Sequence, residues 1–142
     1  MDLQDAVSRF YLDITLNELK LMNQSNIQAN ISYNSLLYLD LIASQENCTA
    51  STLAQLLHIS KPGVTAKINE LVAQGLVTKR QSERDKRVYY LSVSDAMKEE
   101  YRAYDRRQHN ATERVKAAYT PKQIATFIEM LDEFRKEYLK EP

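Results

Sequence analysis

Between Ser60 and Tyr90 stand seven cationic side chains, Lys61, Lys67, Lys79, Arg80, Arg84, Lys86 and Arg87, against three acids, Glu70, Glu83 and Asp85. The chain of 142 residues as a whole is neutral, with 19 basic and 19 acidic residues, so this segment's excess of four is balanced elsewhere. A concentrated positive field suits phosphate oxygens, which accept charge-assisted hydrogen bonds and release counterions when neutralised. The densest stretch is Ser82-Glu83-Arg84-Asp85-Lys86-Arg87, which stops abruptly at the strand formers Val88, Tyr89 and Tyr90. Alone, such a run reads as a solvated turn. The elements around it must decide.

Other chemistries find little material. There is no glycine-rich phosphate loop, no His–Cys or Ser–His pair with supporting context and no metal constellation, so neither an enzyme nor a cofactor is expected. His109 has Asp105 and Glu113 at helical spacing on either side, which reads as a solvated helix face rather than a metal site. Cys48 is the only cysteine, flanked by the uncharged Asn47 and Thr49. It is expected to be a small buried residue in a short strand rather than a reactive thiol. A single cysteine and the absence of any apolar run near the ~18 residues of a membrane span point to a cytoplasmic chain with no membrane association.

The chain length suits one domain, or one with an extension, and two glycines and three prolines favour helices. Ser32, Thr49, Ser60 and Thr120 are candidate helix N-caps. Each is preceded by Ile31, Cys48, Ile59 or Tyr119 and followed, at staple spacing, by Leu36, Leu53, Val64 or Ile124. Thr120 adds Pro121 and the capping-box residue Gln123. These signals predict helices over 32–45, 50–57, 60–74 and 121–139. Leu3, Val7, Phe10 and Ile14 recur at helical spacing and predict a first helix from Leu3 to Met22. Met97, Tyr101, Tyr104, Gln108, Ala111, Val115 and Ala118 form a coiled-coil-like seam. Ile124, Phe127, Leu131, Phe134 and Tyr138 form a last stripe. Three long amphipathic helices at the ends of a short chain are expected to bury their faces in a homodimer.

In the middle, a short helix with Leu53, Leu56 and Leu57 inward meets a second one with Val64, Ile68, Leu71 and Val72 inward. Gly75 supplies a left-handed stop. The outward side of the second helix carries Pro62, Ala66, Asn69 and Ala73, flanked by Thr65, Lys67 and Glu70. That is a helix-turn-helix, whose second helix can enter a major groove. Val77–Gln81 and Val88–Ser92 then read as strands, which makes the charged run the tip of a wing. The cations now lie where duplex phosphates would lie.

At this point the chain resembles the MarR family of transcriptional regulators. The resemblance rests on LAQLLHIS…VTAKINELVAQGLVTKR and on Arg84-Asp85-Lys86-Arg87 followed by Tyr89, Leu91, Val93 and Ser94. It implies a mainly α fold with a small β-wing: a winged helix-turn-helix over 32–93, an N-terminal dimerisation helix and linker over 1–31, and C-terminal dimerisation helices over 94–142. It implies a homodimeric regulator of transcription, a repressor that binds double-stranded DNA at an inverted-repeat operator. Asp85 and Arg87 resemble an Asp-x-Arg pair in which the acid holds the wing and the arginine meets DNA. Arg84 and Lys86 would lie at the tip, and Ser60, Lys61, Thr65, Ala66, Lys67 and Asn69 on the recognition helix, with Arg80 among the DNA-facing cations. Many members carry a basic residue where this chain has Ala66; Lys67 comes one place later, about 100° further round the helix. The family also implies a small aromatic or lipophilic effector, for which Tyr11, Tyr33 and Tyr38 are candidates. The rival reading is a winged-helix protein-interaction module that does not bind duplex DNA.

Overall fold

The computed structural model describes residues 1–140. The element order is α1 (Leu3–Gln24), α2 (Tyr33–Ser44), α3 (Ala50–Leu57), α4 (Lys61–Ala73), β1 (Val77–Gln81), β2 (Tyr89–Val93), α5 (Asp95–Ala118) and α6 (Pro121–Tyr138). All four predicted caps are in place. The hydroxyls of Ser32, Thr49, Ser60 and Thr120 accept from the backbone N–H groups of Ser35, Thr52, Gly63 and Gln123. Gln123 completes the capping box by accepting from the Thr120 N–H. Ser94, which closes the residues that carry the resemblance, accepts from the Met97 N–H to start α5, and one cap that sequence reading missed, Asp2, accepts from the Asp5 N–H to start α1.

The chain divides into two compact units, Met1–Lys98 and the remainder from Glu99. The core of the first unit is formed by Leu39 and Ile42 of α2, Leu53 of α3, Val64, Ile68 and Leu71 of α4, and Leu76, Val77, Leu91, Val93 and Met97. Helix α3 packs on α4, α4 on β1, and α2 on β2. Leu56 differs from expectation: its side chain is exposed, so α3 buries a narrower face than the pattern of leucines suggested. Cys48 is fully buried but lies outside any strand; its carbonyl accepts from the Leu91 N–H at 2.8 Å and so pins the segment before α3 to β2.

Strands β1 and β2 are antiparallel, from Val77 opposite Val93 to Gln81 opposite Tyr89. The second strand is shifted one residue from its predicted span. Val93 joins because it is buried beside Val77, and the ladder runs on through Ser94 N–H to the Leu76 carbonyl at 2.8 Å. Val88 drops out because its N–H is turned to the Asp85 carbonyl at 3.0 Å, inside the tip.

Three residues near the helix-turn-helix have positive φ: Asn47 (φ 52°) before α3, His58 (φ 52°) after it and Gly75 (φ 72°) after α4. Nothing lies within 4 Å of a Cβ added at Gly75, so only backbone strain opposes a side chain there. Gly75→Ala is expected to lower stability by about 1 kcal/mol. His58 already carries that strain, roughly 1–2 kcal/mol for an L-residue, against about 0.5–1 kcal/mol of extra chain entropy for glycine. His58→Gly should therefore raise stability by about 0.5–1 kcal/mol, read as a higher urea midpoint at unchanged slope.

In the second unit, ion pairs run along exposed helix faces: Arg102 with Glu99, Lys116 with Glu113 at 2.7 Å, and Arg135 and Lys136 with Asp132 at 2.7 and 2.8 Å. Each contributes little by itself. Phe134 and Tyr138 stack with ring centroids 5.8 Å apart. Across the described part of the chain the long helices leave large apolar side chains in solvent: Leu3 and Phe10 of α1 are each 69% exposed, and Phe127 and Leu131 of α6 are 51% and 52% exposed. Neither α1 nor α6 contains a buried residue.

Candidate nucleic-acid interface

The wing tip is a closed turn held by its own polar groups. Ser82 is buried, its N–H donates to the Val88 carbonyl at 2.9 Å, and its hydroxyl accepts from the N–H groups of Arg84 and Asp85 at 3.3 Å. The Asp85 carboxylate accepts three bonds from Arg87, one from the backbone N–H and two from the guanidinium, each 3.0 Å. The two guanidinium bonds form a fork, the geometry in which an Arg–carboxylate pair is most directional. The Arg87 side chain holds the Asp85 carboxyl below its usual range, with the Arg87 N–H adding to the effect; Arg87 is raised in return. A depressed carboxyl contributes above the ordinary aspartate range, near pH 4, and its contribution is lost as pH falls through the lower folded value. The brace is therefore intact at neutral pH.

With Asp85 and Arg87 engaged, Arg84 and Lys86 are left exposed, and neither side chain has a partner among the described residues. Gln81 fixes the base of the tip by donating to the Lys86 carbonyl at 2.8 Å. Arg80 lies over the ring of Tyr90, directly opposite in the ladder, at 5.0 Å. Its charge is thus carried on one face of the wing by a cation–π contact.

On α4 the two faces separate as the spacing predicts. Val64, Ile68 and Leu71 are buried, while Lys61, Pro62, Ala66 and Asn69 are exposed, Thr65 is half-buried, and the cap Ser60 is exposed at the helix start. Lys67 lies along the flank: its side chain is only 16% exposed, and its ammonium is 3.4 Å from Glu70. A residue that sequence reading left out of the site joins helix to wing. Lys79 of β1 donates to the Asn69 Oδ1 at 2.8 Å, and its ammonium also lies 5.9 Å from the Tyr89 ring centroid. No local pattern announces this contact, because its partners are ten residues apart across the α4–β1 junction.

Residues 29–88 match the model of the MarR family. This stretch is a MarR family domain. It contains α2, α3, α4, β1 and the wing tip, the elements that carry the resemblance in sequence. Solved structures agree on the fold well beyond the MarR family domain. FabT of Streptococcus pneumoniae, solved in complex with DNA, is similar with a TM-score of 0.73 at 21% identity, over 97% of each chain. The adhesin competence repressor AdcR of Streptococcus pyogenes is similar at 0.66 and 23%, over 97% of this chain and 98% of that chain. MarR of Staphylococcus aureus, solved with salicylate and kanamycin, is similar at 0.57 and 23%, over 99% and 95%. At these identities the likeness establishes a mainly helical winged-helix fold. No curated protein sequence matches this chain.

Of the three tyrosines considered for an effector, Tyr38 is half-buried, and Tyr11 and Tyr33 are 70% and 66% exposed. Burial raises the Cys48 thiol above its ordinary value, which keeps it protonated and unreactive at neutral pH. Among the described residues no group of three or more His, Cys, Asp or Glu side chains is placed to hold a metal ion. Glu113, beside His109, is instead bonded to Lys116, which lowers its carboxyl. Among the described residues no helix is long and apolar enough to cross a membrane.

Proposed function

We propose that the protein is a cytoplasmic, non-enzymatic regulator of transcription, a repressor that binds an inverted-repeat DNA operator as a homodimer. The observation that carries this reading is the wing tip: two unpaired cations, Arg84 and Lys86, are presented by a turn in which Asp85 and Arg87 are bonded to each other and Glu83 is the one further charge. A turn that merely stays in solvent has no need of such sorting. The exposed small and polar face of α4 supplies the second half of the surface, the part that reaches base edges. The DNA complex of the similar FabT supports the choice of partner. The salicylate and kanamycin complex of the similar S. aureus MarR supports a small-molecule effector, here taken to be aromatic or lipophilic and to release the operator. Tyr11, Tyr33 and Tyr38 are the candidates to receive it.

A salt titration tests the reading. Duplexes selected from a random pool should bind in low salt and lose affinity linearly on a log–log scale as salt rises. Selected sites should be inverted repeats with centres about 10 bp apart, because a two-fold dimer presents its helices to successive major grooves. Thr65→Ala should change base preference at a few positions by about 1–3 kcal/mol. Absence of duplex binding even at low salt would turn the reading to a protein-interaction module.

A further inference from the structure

The contact between Lys79 and Asn69 bears on which base the recognition helix accepts, and so rests on the proposed DNA-binding role. An asparagine side chain offers an acceptor oxygen and a donor NH₂, and the two ends are distinguished by their partners. Here the partner settles the orientation. An ammonium group only donates, so the atom 2.8 Å from the Lys79 Nζ must be the carbonyl oxygen. Both residues are exposed, and the amide NH₂ of Asn69 has no partner among the described residues.

Asparagine reads adenine through both ends, Oδ1 accepting from N6–H and Nδ2 donating to N7. At Asn69 the oxygen is already held by a cation. An adenine amino group approaching it would meet a second donor carrying a full positive charge. Guanine presents only acceptors at the same edge, N7 and O6. Those two atoms suit an amide NH₂ and an ammonium side by side.

We propose that Lys79 determines the specificity of Asn69: the two side chains act as one donor pair and select guanine over adenine in each half-site. Lys79 is therefore a reading residue on the wing strand, not a further phosphate contact. The cation over the Tyr89 ring fits this role, because the ring limits where the ammonium can swing.

The test is selection from randomised duplexes at fixed salt with the wild type, Asn69→Ala, Lys79→Met and Lys79→Arg. Thermal midpoints verify that each variant is folded. The wild type should choose guanine at the position whose preference Asn69→Ala flattens. Lys79→Met frees the oxygen and should shift the guanine-to-adenine ratio there by roughly tenfold toward adenine. Lys79→Arg, still a donor-only cation, should keep guanine. Should the methionine variant not fold, Lys79→Gln is expected to give a smaller shift in the same direction. Adenine in the wild-type site, or an unchanged ratio in folded Lys79→Met or Lys79→Gln, would overturn the proposal. So would an Asn69→Ala variant that keeps every preference while other positions remain selected, an outcome that leaves the DNA-binding role standing. A wild type that selects no sequence at any salt would remove that role, and this inference with it.

Discussion

Deleting residues 121–142 is expected to abolish tight operator binding and leave a monomer or aggregates. Helix α6 carries Phe127, Ile128, Met130, Leu131, Phe134 and Tyr138, all exposed in the single chain. Contiguous apolar faces of this kind mark an interaction surface when several large side chains lie on one helix. The stripe does not serve a core, since no residue of α6 is buried, so removing it should leave the winged helix-turn-helix with its own core of Leu39, Ile42, Leu53, Ile68 and Leu71. What the deletion is expected to remove is the second copy of the proposed dimer. A dimer binds its second half-site at the high effective concentration set by the first, a gain of roughly 100- to 10,000-fold over one half-site. The deletion should cost affinity on that scale at constant salt, while the weak, salt-dependent binding of one wing and one helix persists. Sedimentation reads the assembly and fluorescence anisotropy the affinity. A truncated chain that sediments as a dimer would refute the role of α6.

How far the sequence reaches is best seen by comparing Thr120 with Lys79. The Thr120 cap, its proline and the Gln123 box lie within four residues, and every bond they make follows from helix geometry alone. The Asp85–Arg87 brace is likewise local, and the alternation of bonded and free charges at the tip could be read from spacing. The Lys79–Asn69 bond could not, since it depends on how the start of β1 leaves α4. The same limit explains β2. The alternation of side chains indicated a strand near Tyr89, but its end was set by what Val93 packs against, and Val77 belongs to the other strand. Leu56 errs for a related reason: three leucines in α3 look equivalent in periodicity, yet Leu53 is buried, Leu57 half-buried and Leu56 exposed. Seven cations predict a positive surface, but not that Lys67 spends its charge on Glu70 along a covered flank.

The wing offers a result whose sign simple electrostatics gets wrong. Arg84→Ala and Lys86→Ala should each weaken DNA binding, roughly tenfold for the loss of a hydrogen bond to a charged group. Each should flatten the log–log salt slope by about one unit. Arg84 or Lys86 can be drawn into a narrow minor groove, whose potential attracts cations without a base code. Asp85→Ala removes a negative charge from beside a polyanion, and Coulomb's law alone would have it bind more tightly. It is expected to bind more weakly, because the Asp85 carboxylate takes three bonds from Arg87 and so fixes the turn that aims Arg84 and Lys86. Asp85→Asn separates the two effects: it also removes the charge but keeps an oxygen to accept from the Arg87 N–H, and should fall between the wild type and the alanine variant. The slope distinguishes the roles further. Loss of aim lowers affinity at every salt concentration with less change in slope than loss of Arg84 or Lys86 themselves. Tighter binding by Asp85→Ala would make the acid an ordinary solvated turn residue and Arg87 a phosphate contact that Asp85 had been holding back.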